Sequence, residues 1–236
     1  EFGSGACIKV RFLLDAAKKL KAYVPVDIAG EFLNAEAAAL RKHYPDLAIL
    51  PVAADFMKPF ALPEAVAGLP KIGFFPGSTI GNFEPHEAAA FLRHAGGILG
   101  KGAVMVVGVD LIKDEKVLNA AYNDAAGVTA RFNLNLLRRI NRELGGNFKL
   151  DAFEHHAFYN RERNRIEMHL ASRVRQKVTV AGSTFEFRAG ETIHTENSYK
   201  YSPQSFAALA RGAGWKLLDR WSDGRGNFAV CALELA

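Results

Sequence analysis

Through the first half of the chain, short apolar runs alternate with stretches in which apolar residues recur every three or four positions. This is the pattern of a parallel sheet covered by helices. It predicts helix over 9–20, strand over 22–28, helix over 31–43 and strand over 47–52. A buried strand over 71–75 then leads into the turn Pro76-Gly77-Ser78-Thr79-Ile80-Gly81-Asn82, followed by helix over 84–99 and strand over 103–109. A further strand belongs just before Gly3, ahead of Glu1, so an N-terminal segment is expected to be missing.

The rhythm breaks after Asp114. Residues 114–144 read as helical, and 153–198 as short strands separated by polar or glycine turns, with Gly182-Ser183 joining 177–180 to 184–187. The α/β pattern returns with a helix starting at Ser202-Pro203 and running to 213, then strands over 215–221 and 228–235. The expected architecture is α/β, a Rossmann-like sheet with an inserted α+β lobe: core over 1–114 and 199–236, insertion over 115–198. An insertion at the carboxyl edge of such a sheet lies where ligands bind, so it reads as a substrate-recognition lobe.

Composition changes this picture little. With 236 residues, 49% hydrophobic and 23% charged, the chain can bury a full core as one domain or one domain with an insertion. The longest apolar runs, such as 103–109, fall far short of the roughly 20 residues that cross a bilayer, so no membrane partner is expected. The first residues lack a signal-peptide plan, and Cys7 and Cys231 cannot build a multi-bridge framework. Cytoplasmic residence with reduced thiols follows. The net charge of +5 could attract nucleic acid. Arg131, Arg138 and Arg142 would share a helix face, but Glu143 lies beside them without aromatic interleaving, so no nucleic-acid partner is expected.

The candidate chemistry begins at Glu1-Phe2-Gly3-Ser4-Gly5. Glycines at such a turn allow positive φ and close approach of a ligand. A dinucleotide fingerprint would need glycine where Ile8 stands. Asp27, 24 residues after Gly3, falls where a ribose-binding acid follows a first βα unit. The pair suggests an adenosine moiety without a pyrophosphate, such as S-adenosylmethionine. Neighbours His155 and His156 would project to opposite faces of a strand and the cysteines are isolated, so no metal site is expected. All seven histidines read as structural or surface residues.

Gly3-Ser4-Gly5 with Lys9, the turn 76–82, Gly108-Val109-Asp110-Leu111-Ile112-Lys113-Asp114, Ala121-Tyr122-Asn123-Asp124-Ala125-Ala126-Gly127-Val128-Thr129 and Thr195-Glu196-Asn197-Ser198 carry a resemblance over essentially the whole chain. They resemble the histidine-specific N-alpha-methyltransferases of the ergothioneine pathway. The resemblance implies a class I S-adenosylmethionine-dependent enzyme that trimethylates the α-amine of L-histidine to hercynine. It implies that Gly3 and Lys9 touch the cofactor, Asp27 holds the ribose, and Asp55 and Phe56 bind the adenine. Asn82 and Tyr122 would grip the α-carboxylate of the amino acid and are the catalytic candidates. Glu196 and Ser198 would bind the imidazole, with Met168 near the ring; alternation along a strand puts Glu196 and Ser198 on one face. A monomer acting on a small molecule is expected. In the family, an N-terminal segment joins the substrate lobe and supplies a further tyrosine. The chain given is therefore expected to keep its cofactor residues yet be poorly active or unstable alone.

Three alternatives stay open at this point. One is the same chemistry on another amino acid or an indole derivative, and another is a non-catalytic cofactor-fold module. The third is a nucleic-acid amino-methyltransferase, against which stands Pro76-Gly77-Ser78-Thr79 in place of an Asn/Asp-Pro-Pro-aromatic turn.

Overall fold

Two prolines shape the first edge of the sheet in the computed structural model, which describes residues 1–17 and 19–236. The stretch expected as one strand over 22–28 is two short pieces, β1 (Ala22–Tyr23) and β2 (Val26–Asp27). The stretch expected over 47–52 is likewise β3 (Ala48–Ile49) and β4 (Val52–Ala53). Pro25 and Pro51 lie at the two interruptions, and proline has no N–H for a ladder. β1 pairs with β3 and β2 with β4, both parallel. The Leu50 and Val52 amides donate to the Tyr23 and Pro25 carbonyls at 2.9 Å, so hydrogen bonding bridges the gap. Phe2 bridges Val26 in parallel and donates its amide to the Phe74 carbonyl, extending the pairing toward the next strand.

Helix α1 (Val10–Ala16) is shorter than the expected 9–20, a span that includes Lys18, outside the described residues. Val10 and Leu14, four apart and therefore on one face, are buried with Cys7, Tyr23 and Ile49. Helix α2 (Gly30–His43) adds Ala37 and Leu40 to that cluster. Each large side chain so buried contributes about 1.5–3 kcal/mol. Strand β5 (Ile72–Phe75), helix α3 (Pro85–Leu99) and strand β6 (Val104–Asp110) follow.

The chain divides into two compact units, one of Glu1–Ile80, Pro85–Leu111 and Tyr201–Ala236, the other of Gly81–Glu84 and Ile112–Lys200. In the second unit, the expected helical run 114–144 is two helices, α4 (Glu115–Tyr122) and α5 (Val128–Leu144). Asp124 makes the break. Its carboxylate accepts from the Val128 and Thr129 amides at 2.8 Å, an N-terminal cap in all but position, and those amides hold its carboxyl down at about 2.

Strands β7 (Phe153–Asn160), β8 (Arg165–Ser172), β9 (Gln176–Val180), β10 (Ser183–Phe187) and β11 (Thr192–Tyr199) complete this unit. β11-β8-β7 is an antiparallel sheet and β9-β10 a hairpin. The hairpin turn is Ala181-Gly182, one residue earlier than expected, with both residues at positive φ as in a type I′ turn. One sheet face buries Ile166, Met168 and Leu170. Leu118 of α4 packs on the first two and Leu137 of α5 on the third.

The first unit closes with α6 (Pro203–Gly212), β12 (Trp215–Ser222) and β13 (Phe228–Leu235). Ser202 and Ser205 form a reciprocal capping box at the start of α6. The strand order is β12-β13-β6-β5, with β5 parallel to β6 and β13 antiparallel to both its neighbours. A Cβ at Gly96 of α3 would lie 2.9 Å from Leu235 Cδ1, so glycine lets this helix and strand pack without displacing the leucine. The buried Trp215 indole N–H donates to the Leu92 carbonyl at 2.8 Å. Among the described residues, no helix is long and apolar enough to cross a membrane, and Cys7 and Cys231 are free and buried.

Candidate cofactor and substrate sites

In the first unit, the glycine loop folds back on the end of β2. Gly3 has φ +65° and donates its amide to the Val26 carbonyl at 2.8 Å. A Cβ at Gly3 would stand 3.1 Å from the Phe56 ring, so the position is closed to side chains by both conformation and space. Asp27 accepts from the Gly5 amide through Oδ2 and from the Ala29 amide through Oδ1, each at 3.0 Å. One carboxylate thus ties the loop to the strand end, and each oxygen keeps a lone pair for an incoming hydroxyl. Asp55 accepts from the Met57 amide, which holds its carboxyl below the usual carboxylate value. Phe56 stands edge-on to Phe2, Phe75 and Phe91. Lys9 is exposed, with Nζ 3.3 Å from where a Cβ on Gly77 would lie. The Tyr23 hydroxyl donates to the Glu1 carboxylate, whose burial raises its pKa. A mostly apolar cavity of about 350 Å³ in this unit is lined by Glu1, Tyr23, Leu13, Leu62, Val66 and Phe74 but not by Gly3, Lys9, Asp27, Asp55 or Phe56.

The second unit assembles the other candidates. Asn82 is exposed at the end of the 3-10 turn Thr79–Asn82. Tyr122 ends α4 and donates its hydroxyl to Ser198 Oγ at 2.8 Å. Glu196 is opposite Met168 and Ser198 opposite Ile166 in the β11–β8 register, after a shift at Thr195. Met168, Glu196 and Ser198 therefore share the face on which α4 packs. Burial pushes the Glu196 carboxyl up, and the Lys200 charge opposes the rise.

The side chains that hold these residues in place escaped the sequence reading. A carbonyl only accepts, so the 2.8 Å contact between His155 Nε2 and the Tyr122 carbonyl puts the proton on Nε2. Nδ1 of the same ring then accepts from the buried Asn133 amide at 3.0 Å. His155 thereby pins the last residue of α4. On the opposite sheet face, Glu84 Oε1 accepts from Arg165 at 2.7 Å and Asn197 at 3.0 Å, and Oε2 accepts from Tyr199 at 2.6 Å. Arg165 also donates to Glu167 at 2.8 Å. Two residues beyond Asn82, Glu84 thus anchors that turn to β8 and β11. The Asn-x-Tyr spacing on β11 was the only available signal, because Glu84 and Arg165 are remote in sequence.

Glu167, His169 and His194 each offer a metal-ligating atom, all within 4.8 Å of one another. Their spacing concealed this, since His169 and His194 meet only through the β8–β11 register. The two imidazoles are stacked, 4.5 Å apart and 14° from parallel, so their in-plane lone pairs do not converge. A metal ion would require one ring to turn.

Residues 1–235 match the family described as histidine-specific, S-adenosylmethionine-dependent methyltransferases. The chain belongs to that family. The histidine N-alpha-methyltransferase of Mycolicibacterium smegmatis is 41% identical over 239 residues, covering 98% of this chain and 73% of the relative. The ergothioneine biosynthesis protein 1 of Neurospora crassa is 30% identical over 95% of this chain and 26% of its own length. An S-adenosylmethionine-dependent methyltransferase from Clostridium acetobutylicum superposes with a TM-score of 0.54 at 12% identity, covering 100% of this chain and 82% of that one. This likeness places the methyltransferase in the class I fold. Its cofactor is S-adenosylmethionine, and the first unit fits that group: the bare Gly3 backbone leaves room, and Asp27 keeps acceptor capacity for hydroxyls.

Proposed function

We propose that this methyltransferase transfers methyl groups to the α-amine of L-histidine, three in succession, to give hercynine for ergothioneine biosynthesis. The observation that carries the reading is the cluster on one face of the β8–β11 pair. There Ser198 accepts from Tyr122 at 2.8 Å, and Glu196 stands two residues away beside Met168. A hydroxyl and a carboxylate at that spacing suit a ring with two distinct nitrogens. Family membership and the relatives' names support the same substrate.

S-adenosylmethionine, when bound, supplies an electrophilic methyl on a sulfonium. In the proposed roles, Gly3 and Lys9 contact it, Asp27 receives both ribose hydroxyls, and Asp55 with Phe56 takes the adenine. Asn82 donates to the substrate α-carboxylate, while Tyr122, whose single hydroxyl proton goes to Ser198 Oγ, stands with Glu196 and Ser198 at the ring end. Fixing the amino acid at both ends orients its amine, and positioning of this kind supplies a large share of the rate. The amine reacts only after losing its proton. The α-amine of a free amino acid is largely protonated near neutrality, so the site must help it lose that proton, to water or a nearby acceptor. The substrate lobe is assigned to 112–200 together with the turn 81–84. The proposal includes a monomer acting in the cytoplasm on the free amino acid.

Calorimetric titration with S-adenosylhomocysteine and then L-histidine tests the reading, paired with mass detection of mono-, di- and trimethylated product. Histidine is expected to bind in the presence of the cofactor product and to gain three methyl groups. Absence of both binding and methylation overturns the assignment.

A further inference from the structure

Lys200 is buried, with only 3% of its surface exposed, and had no place in the sequence-based site. Its Nζ donates to Ser198 Oγ at 2.7 Å and to the Tyr122 hydroxyl oxygen at 2.9 Å, and it lies 4.8 Å from the Tyr122 ring centre. The Tyr122 hydroxyl in turn donates to Ser198 Oγ at 2.8 Å. A lysine ammonium has donors only, and a serine hydroxyl has two lone pairs and one proton. Ser198 Oγ therefore spends both lone pairs on Lys200 and Tyr122. Its proton is left for a third partner. Glu196, two residues along the strand, offers a carboxylate that accepts.

We propose that Lys200 is a positioning residue that fixes the Ser198 hydroxyl as a hydrogen-bond donor, so that the site selects a ring with one N–H and one unprotonated nitrogen. This inference rests on the histidine reading and deepens it. A neutral imidazole meets the donor of Ser198 with its bare nitrogen and the acceptor Glu196 with its N–H. An imidazolium would set a second N–H against the Ser198 proton, and a ring without nitrogen would leave both groups unpaired in a buried place. Without Lys200, Ser198 regains a free lone pair and can turn its proton elsewhere. The polarity of the pair is then lost even though both side chains remain.

The test compares dissociation constants for L-histidine and for β-(2-thienyl)alanine, a similar ring without nitrogen, in the presence of S-adenosylhomocysteine. Lys200→Met is expected to reduce the preference for histidine about tenfold while S-adenosylhomocysteine affinity is kept. Lys200→Arg, which still donates, should recover part of it. Ser198→Ala already removes the hydroxyl, so adding Lys200→Met should change the preference no further. An unchanged preference in folded Lys200→Met, or equal weakening toward both ligands, overturns the proposal. Should Lys200→Met fail to fold, Lys200→Leu, which likewise has no donor, is compared with and without Ser198→Ala. A change confined to the Ser198 background supports the role, and no change or equal changes in both refute it. Failure of the unaltered enzyme to bind or methylate histidine would instead sink the functional reading itself.

Discussion

Arg165 and Glu84 form a 2.7 Å ion pair in which the guanidinium is almost wholly buried, and the same guanidinium donates to Glu167. Removing the cation takes the charged partner from the buried Glu167 carboxylate, leaving it Asn160 and His169, and loosens the turn that carries Asn82. Arg165→Met should lower stability by about 3 kcal/mol, the usual cost of breaking one side of a buried pair. Tyr199→Phe, which removes the donation to Glu84 and the acceptor for Arg165 but leaves the ion pair, should cost less, about 1–2 kcal/mol. Denaturant unfolding measures both, and equal effects would mean that the guanidinium is not the hub.

Asp27→Asn keeps the shape of the side chain but leaves one carbonyl oxygen where two now accept backbone amides. S-adenosylhomocysteine affinity should fall about tenfold or more and stability by about 1 kcal/mol, because the Gly5 or Ala29 amide loses its partner. Calorimetry and thermal unfolding read the two losses separately. Retained affinity would remove Asp27 from the cofactor site.

Glu196→Ala should weaken histidine binding at least about tenfold, as loss of a charged hydrogen-bond partner does, with cofactor binding kept. Equal losses in both would make Glu196 a structural residue of β11. Steady-state KM values together with S-adenosylhomocysteine titration distinguish the outcomes.

Acid should destabilise the protein in a way that singles out one histidine. Burial lowers the His169 pKa below the ordinary 6.5, with the neighbouring His194 adding to the effect. The unfolded imidazole therefore binds protons first, so stability is lost as pH falls from about 6.5 toward the folded value. Glu84 and Glu167 act at lower pH. Tyr199 holds Glu84 below 4.5, while at Glu167 burial pushes upward but Arg165 and His169 outweigh it. Stability from both carboxylates is present above 4.5 and lost as pH falls through their folded values. Glu1 and Glu196, raised by burial, pull the other way. Chemical denaturation at a series of pH values should show His169→Gln losing less stability than the parent between about pH 7 and 5. A parallel decline in both proteins would refute the assignment.

The class of most elements was legible because each lies where its apolar period says it should, from β5 and β6 to the returning strands β12 and β13. The interruptions at Pro25 and Pro51 were written in the sequence too, but hydrophobicity dominated the reading there. The split of 114–144 into two helices turned on one side chain, Asp124, capping amides four and five residues ahead. Tyr122, Glu196 and Ser198 were singled out through motifs, and the structure brings them together with Met168 on one face of the β8–β11 pair. Lys200, Glu84, Arg165 and His155 were not singled out, because each acts through partners that only strand register and helix packing bring near.

The close fit of Gly96 against Leu235 bears on how the chain acquires its shape. Gly96 and Gly97 together make the last turns of α3 a poor helix on intrinsic preference, by roughly 1 kcal/mol per glycine. That stretch is held instead by Trp215 and Leu235, residues that reach it only after most of the chain has been traversed. The end of α3 should therefore consolidate late in folding, with the closing hairpin rather than before it, and loop-closure entropy makes such distant pairings slow. A chain released before β13 is made would carry a frayed α3 and an uncovered strand β6.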